Sequence, residues 1–126
     1  MTTVPLADEL IDGVISFLRD EVTTSIDARL AFHGRVAANA LEIARRDIAS
    51  GESVNRAAAG RLHALLGLSG ERETLDRALC AQIMDGHIDT DTPGLLDHLW
   101  ASTMDALSID QPTYATYIRA LADMAK

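Results

Sequence analysis

Apolar residues recur at every third or fourth position along most of the chain, a spacing that predicts α-helices. The longest pattern of this kind spans residues 26–48 and has two apolar sides. One side carries Ile26, Leu30, His33, Ala37, Ala40, Leu41, Ala44 and Ile48, and the other carries Arg29, Phe32, Val36, Asn39 and Ile43. A helix that is apolar on two sides needs neighbours on both.

Capping residues, prolines and glycines divide the pattern into about six predicted helices. The first runs from Pro5 to about Glu21, and the second from a cap at Ser25 or Asp27 to Ser50 and Gly51. The remaining four are predicted at about Glu52–Leu66, from a cap at Ser69 to Asp85 and Gly86, from Thr92 and Pro93, and from Asp110 through Leu121.

The apolar stripes also predict which faces are buried. In the first helix the expected core residues are Leu6, Leu10, Val14, Phe17 and Leu18. In the second helix an alanine stripe, Ala37, Ala40 and Ala44, allows close helix approach and is expected to face the core, with Arg29, Phe32, Arg35 and Asn39 nearer a partner. No strand-like alternation appears. The fold class is therefore all-α, a single-domain bundle-like array of about six helices around a long central helix, spanning residues 1–126.

Composition narrows the function classes. Only 4% of the residues are aromatic, and the net charge of -8 opposes binding to a phosphate backbone, so nucleic acid is an unexpected partner. No apolar run approaches the roughly 20 residues of a membrane span, and the first ten residues do not resemble an export signal. The single cysteine, Cys80, is expected to be a buried small hydrophobe in a reduced, cytoplasmic protein.

The candidate sites for independent chemistry are weak. Residues 85–91 place donors at alternate positions, but Thr90 and Leu96 stand where a calcium loop needs glycine and glutamate. A solvated loop is favoured there, with Asp91 and Thr92 capping the next helix. The four histidines fall on different predicted elements, and His63 and His98 are interpreted as surface residues. We therefore expect no catalytic residue, no metal ligand and no cofactor.

Polar residues on the central helix allow two interpretations. Arg29, Arg35 and Asn39 either fix helix register within the monomer or form an interface. If Arg29 points inward it needs a carboxylate such as Asp110 or Glu9, because an unpaired buried guanidinium is costly. His33 lies on an apolar stripe, which favours a core or interface histidine over a catalytic base.

Three segments carry a family resemblance over nearly the whole chain: the run Arg29–Leu41, the pair Leu79 and Cys80, and the run Leu107–Tyr114. Together they resemble a family of small bacterial proteins that are encoded beside aminoglycoside-phosphotransferase-like kinases and acyl-CoA dehydrogenases. This chain departs from the family pattern at Gly34, where alanine is common, at Gln111, where asparagine is usual, and in an extra helix after Tyr114.

The resemblance implies a small, non-catalytic subunit of a two-component hydroxyacyl-CoA kinase, of the type found in levulinate breakdown. Its expected partner is a phosphotransferase-like kinase subunit, with a functional link to an acyl-CoA dehydrogenase, and self-association into a homo-oligomer stays open. The alternatives are a stand-alone helical module that binds acyl-CoA or another small ligand, and a lyase or hydratase using His33 with Arg29. The candidate partner-binding residues are Arg29, Phe32, His33, Arg35, Asn39, Asp110 and Tyr114.

Overall fold

A computed structural model describes residues 6–126 as helices joined by short turns. In these residues there are five α-helices and no strand, which confirms the all-α class. They are α1 (Ala7–Phe17), α2 (Ala28–Leu66), α3 (Arg72–Met84), α4 (Leu95–Asp110) and α5 (Ala115–Met124). A π-helical turn, Leu18–Val22, extends α1. The predicted start at Pro5 lies outside the described residues.

The long helix α2 corrects the predicted count of about six. The break expected at Gly51 is absent, and 39 residues form one continuous helix. Glycine in a helix costs only about 1 kcal/mol relative to alanine, and no proline stops the helix here. The outer boundaries are confirmed, because the Asp27 carboxylate accepts the N–H groups of Arg29 and Leu30 at the start. Gly67 ends α2 with a left-handed φ of 69°.

Later helix starts are shifted from their predicted positions. Ser69 does not cap α3, whose N-cap is Glu71. The left-handed Gly94 precedes α4, so Thr92 does not cap that helix. Its hydroxyl instead accepts the N–H of Asp89 at 3.0 Å, within the loop. The predicted capping role of Asp91 is likewise not seen, since its N–H donates to the Asp89 carboxylate at 2.9 Å.

Asp110 ends α4 instead of starting the last helix, and Tyr114 is the N-cap of α5. Between them Gln111 has a non-helical backbone, which fits its place before Pro112. The end of α3 is as predicted, because Gly86 follows it with a left-handed φ of 79°.

The chain divides into two compact units after Gly51. The expectation of a single domain stays a prediction. The first unit contains α1, the π-helical turn and residues 28–51 of α2. Its buried residues are small on α2, namely Ala31, Gly34 and Ala38, and Ile15 is buried on α1. A Cβ atom at Gly34 would lie 2.7 Å from Cγ1 of Val22, so glycine permits the close approach of the two segments.

The predicted burial of the first helix is wrong for four of its five residues, and the fifth, Leu18, is only partly buried. The apolar stripe of α1, consisting of Leu6, Leu10, Val14 and Phe17, is 49–66% exposed, and Ile15 is buried instead. The buried Ile15 does not follow the spacing of this stripe, so the packed side of α1 is a different one. Periodicity identified the amphipathic helix but not its packed side. The alanine stripe on α2 is a second correction, because Ala37, Ala40 and Ala44 are exposed.

The second unit has the larger apolar core. Leu62 of α2 packs with residues of α3, α4 and the intervening loop, and the cluster comprises Leu62, Leu75, Leu79, Ile88 and Leu95. Leu62 is fully buried, so a Leu62→Ala substitution is expected to cost about 2–5 kcal/mol. Cys80 is exposed, contrary to expectation, because it follows the buried Leu79 and points away from the core.

Candidate functional site

The predicted partner-binding residues of the first unit lie along one exposed side of α2. Arg29, Phe32, Arg35 and Asn39 are spaced by three or four residues and are all exposed. Val36 lies among them and is also exposed. This group of five residues is the basic face. His33 is exposed on a neighbouring side, and its ring meets that of Phe32 edge to face with centroids 5.6 Å apart.

The two arginines of this face are available to a partner. Arg29 and Arg35 form no ion pair with any residue in 6–126, and both are exposed. The inward ion pair expected for Arg29 is therefore not formed within the described residues. Glu9, one of its suggested partners, accepts the N–H of Leu6 at 2.8 Å.

Asn39 has a different environment, because its amide is held within the monomer. The Arg19 guanidinium donates to Oδ1 of Asn39 at 3.1 Å and pairs with the Glu42 carboxylate at 3.1 Å. A second ion pair joins Arg45 to Asp12. Asn39, Glu42 and Arg45 recur every three residues on α2, and Asp12 and Arg19 lie seven residues apart on the facing segment, so both contacts share one seam. This placement fits the register role for Asn39.

Asp110 and Tyr114 flank a turn in the second unit. The N–H of Tyr114 donates to the carbonyl oxygen of Gln111 at 3.1 Å, and both Asp110 and the Tyr114 ring are exposed. The turn therefore presents a carboxylate and a phenol to solvent, and neither group has a side-chain hydrogen bond within residues 6–126.

A buried polar cluster that sequence reasoning missed lies in the second unit. His98, interpreted as a surface residue, is only 3% exposed. The Arg61 Nε–H donates to Nδ1 of His98 at 3.0 Å, and the guanidinium lies 3.4 Å from the Ser102 hydroxyl and 3.7 Å from the Asp105 carboxylate. Burial, and then the Arg61 charge, lower the pKa of His98.

The available signal for this cluster was the spacing on α4. Leu95, His98, Ser102 and Asp105 recur every three or four residues and so share one side of the helix. A buried leucine at the start of that side indicates that the polar residues following it also face inward. The polarity of His98 alone predicted a surface position, and that prediction was wrong.

Two cavities meet at Arg61. One of about 200 Å³ is lined by Leu65, Pro93, Gly94 and His98 among others. The other, of about 390 Å³, is an open groove lined by Val54, Ala57, Trp100, Met104, Asp105 and Met124. The groove combines an apolar wall with the guanidinium of Arg61 and the carboxylate of Asp105. An apolar wall with a few polar groups is typical of small-ligand sites.

Residues 6–126 contain neither a candidate metal site nor a candidate membrane span. That part of the chain brings no three His, Cys, Asp or Glu side chains together in a way that could hold a metal ion. Its helices likewise include none that is both long and apolar enough to cross a membrane.

Comparison with curated proteins and with solved structures gives no match. One family model does match, over residues 24–114, which include α2, α3 and α4 together with the turn that ends at Tyr114. The matched residues contain the basic face, the Arg61 cluster and the Asp110 turn. Since this match covers well over half of the sequence, the chain belongs to the family described as a domain of unknown function, DUF6285.

Proposed function

We propose that the chain is a non-catalytic accessory subunit that binds and supports a phosphotransferase-like hydroxyacyl-CoA kinase in the catabolism of short-chain acids. The resemblance noted in the sequence supplies the class of partner and its link to an acyl-CoA dehydrogenase. The observation that carries the proposal is the basic face of α2. The site of action is the cytoplasm, where ATP and acyl-CoA substrates occur.

The basic face has the composition of a protein interface. Phe32 is 54% exposed and Val36 is 49% exposed, between two arginines that have no intrachain carboxylate among the described residues. Arginine and aromatic residues are enriched at the energetically important centres of interfaces. A complementary kinase surface would offer carboxylates to Arg29 and Arg35 and an apolar recess to Phe32.

Co-expression with the neighbouring kinase subunit tests this function. Size-exclusion chromatography with light scattering should show a complex, and ATP consumption with a short hydroxyacyl-CoA should be faster with the complex than with the kinase alone. The isolated chain should not turn over acyl-CoA or ATP. Turnover by the isolated chain that His33→Ala abolishes, with folding preserved, would show instead that the chain is itself a catalyst.

A second candidate is a stand-alone module that binds acyl-CoA or another small ligand. The groove of about 390 Å³ beside Trp100 and Arg61 favours it, because an acyl group would contact the apolar wall. A concentration-dependent rise in melting temperature with acyl-CoA would support this function. The matched control is Met104→Trp, which fills the groove and should remove the rise.

A further inference from the structure

The first unit contains a helical hairpin whose two sides differ sharply in polarity. Its helices are antiparallel, because Asp12 pairs with Arg45, Arg19 with Asn39, and the Val22 side chain approaches Gly34. The ion pairs form the seam along one side of the hairpin. Helical spacing places the acidic residues Asp8 and Glu9 on this same side of α1.

The opposite side of the hairpin is apolar on both helices. On α1 it consists of the exposed stripe already described, and on α2 of residues roughly 100° around the helix from the buried Gly34 and Ala38. Because the helices are antiparallel, these two stripes point to the same side. The apolar hairpin face comprises Leu6, Leu10, Val14, Phe17, Leu30, Ala37, Ala40, Ala44 and Ile48.

We infer that a second copy of this chain covers the apolar hairpin face, so that two hairpins form a four-helix bundle. Six of its residues are large hydrophobics with about half or more of their surface exposed. Together they present on the order of 600 Å² of apolar surface, close to the ~800 Å² that each partner buries in a standard interface. This is also at the upper end of the patches that monomers leave exposed.

The face is complementary to itself. Its large residues dominate on α1, whereas alanines occupy the middle of the α2 stripe. In the intrachain register, Asp12 lies level with Arg45, so Phe17 lies level with about Ala40. A two-fold axis parallel to the helices keeps those levels and places α1 of one copy on α2 of the other, antiparallel. Phe17 and Val14 would then pack on Ala40 and Ala44 of the second copy.

The acidic residues of α1 are placed so that their charge does not oppose a second copy. The chain has a net charge of -8, so two copies repel each other unless their contact excludes the acidic residues. Asp8, Glu9 and Asp12 all lie on the seam side of α1, away from the apolar hairpin face. The basic face proposed for the kinase adjoins this face where Val36 lies four residues from Ala40, and it extends from there around α2 to Phe32 and Arg35.

Light scattering on the full chain, without any kinase, tests the inference. We expect a mass of about twice 13.6 kDa for the wild type. Val14→Glu should give a monomer, because a carboxylate would be buried in the interface. Ser16→Glu is the control on the same helix, and it should remain a dimer. Ser16 is exposed and lies four residues from Asp12, on the seam side of α1. Circular dichroism confirms that both variants are folded.

A size exchange tests the register. Phe17→Ala and Ala40→Phe should each weaken the dimer at least tenfold, by lost contact and by overpacking respectively, and the double variant should recover most of that loss. A monomeric wild type, or a dimer insensitive to Val14→Glu, would overturn the second copy as occupant. If the double variant binds its second copy no more tightly than the single variants do, the packing of α1 on α2 of the second copy is wrong.

Discussion

The Arg61 Nε–H donates to Nδ1 of His98 across 3.0 Å, so an arginine and a histidine from α2 and α4 are joined inside the second unit. This contact requires the neutral imidazole, because a protonated Nδ1 has no lone pair to accept the hydrogen bond. Asp76 and Arg72 of α3 also act on His98, the former raising and the latter lowering its pKa, while burial and Arg61 dominate and lower it.

The first prediction is that stability decreases as the pH falls below about 6.5, the ordinary pKa of histidine. The lowered pKa of His98 means that the unfolded chain binds a proton at this residue before the folded chain does. The free energy of unfolding therefore rises with pH between the lowered pKa of His98 and about 6.5. Above pH 6.5 the stabilising contribution of neutral His98 is complete. Urea unfolding at pH 7.0, 6.0 and 5.5 measures the effect.

His98→Asn is the control for this pH dependence. Its amide oxygen can still accept the Arg61 N–H but does not titrate, so the decrease between pH 7.0 and 5.5 should become smaller than in the wild type. An equally large decrease in both proteins would assign the pH dependence to other groups.

The second prediction concerns the donor of the same contact. Arg61→Met should lower the free energy of unfolding by about 1–3 kcal/mol, because the buried Nδ1 of His98 loses its hydrogen-bond donor. Arg56→Met is the matched control on the same helix. Arg56 pairs with Glu52 at 3.1 Å but is 75% exposed, so its loss should cost about 0.5 kcal/mol or less. Equal losses for the two variants would contradict the structural role of Arg61.

Helix boundaries were predictable from the sequence where backbone chemistry decides them. Asp27 caps α2, and the glycines at 67 and 86 end helices in the left-handed conformation, as their residue types require. The predicted helix end at Gly51 was wrong, because glycine permits a helix to end but does not require it. The helix α2 continues through Gly51, with packed residues on both sides of it.

Burial was less predictable than helix formation. Periodicity shows that Leu10 and Val14 share a side, but it does not show whether that side meets this chain or another molecule. The prediction that His98 is exposed was wrong for a different reason. Its burial is compensated by the hydrogen bond from Arg61, which lies 37 positions away in the sequence and which local spacing does not reveal. The candidate partner residues Arg29, Phe32 and Arg35 are all exposed on α2, and their role in binding stays a prediction.

The third prediction concerns Gly34, where the resemblance gives alanine as the common residue. Gly34→Ala should lower stability by about 1–3 kcal/mol, because its Cβ would lie 2.7 Å from Cγ1 of Val22. The second variant Val22→Ala removes that methyl group, so the double variant should lose less than the sum of the two single losses. Thermal unfolding of the four proteins gives the coupling.

Gly60→Ala is the control for helix propensity. Gly60 also lies within α2, but a Cβ there has no neighbour within 4 Å. The substitution should therefore stabilise the chain by up to about 1 kcal/mol, through helix propensity alone. Stabilisation at both glycines would show that Val22 moves aside without cost.

The last prediction separates binding from folding on the basic face. Arg35→Glu should weaken binding to the kinase subunit at least tenfold, because charge reversal replaces attraction with repulsion. The melting temperature should hardly change, since Arg35 is exposed and has no ion pair with the described residues, and such substitutions usually alter stability by about 0.5 kcal/mol or less. Arg29→Ala should likewise weaken binding without lowering the melting temperature. Arg77→Glu, an exposed arginine of α3, controls for net charge. Unchanged affinity for Arg35→Glu would exclude the basic face as the contact and direct attention to the turn between Asp110 and Tyr114.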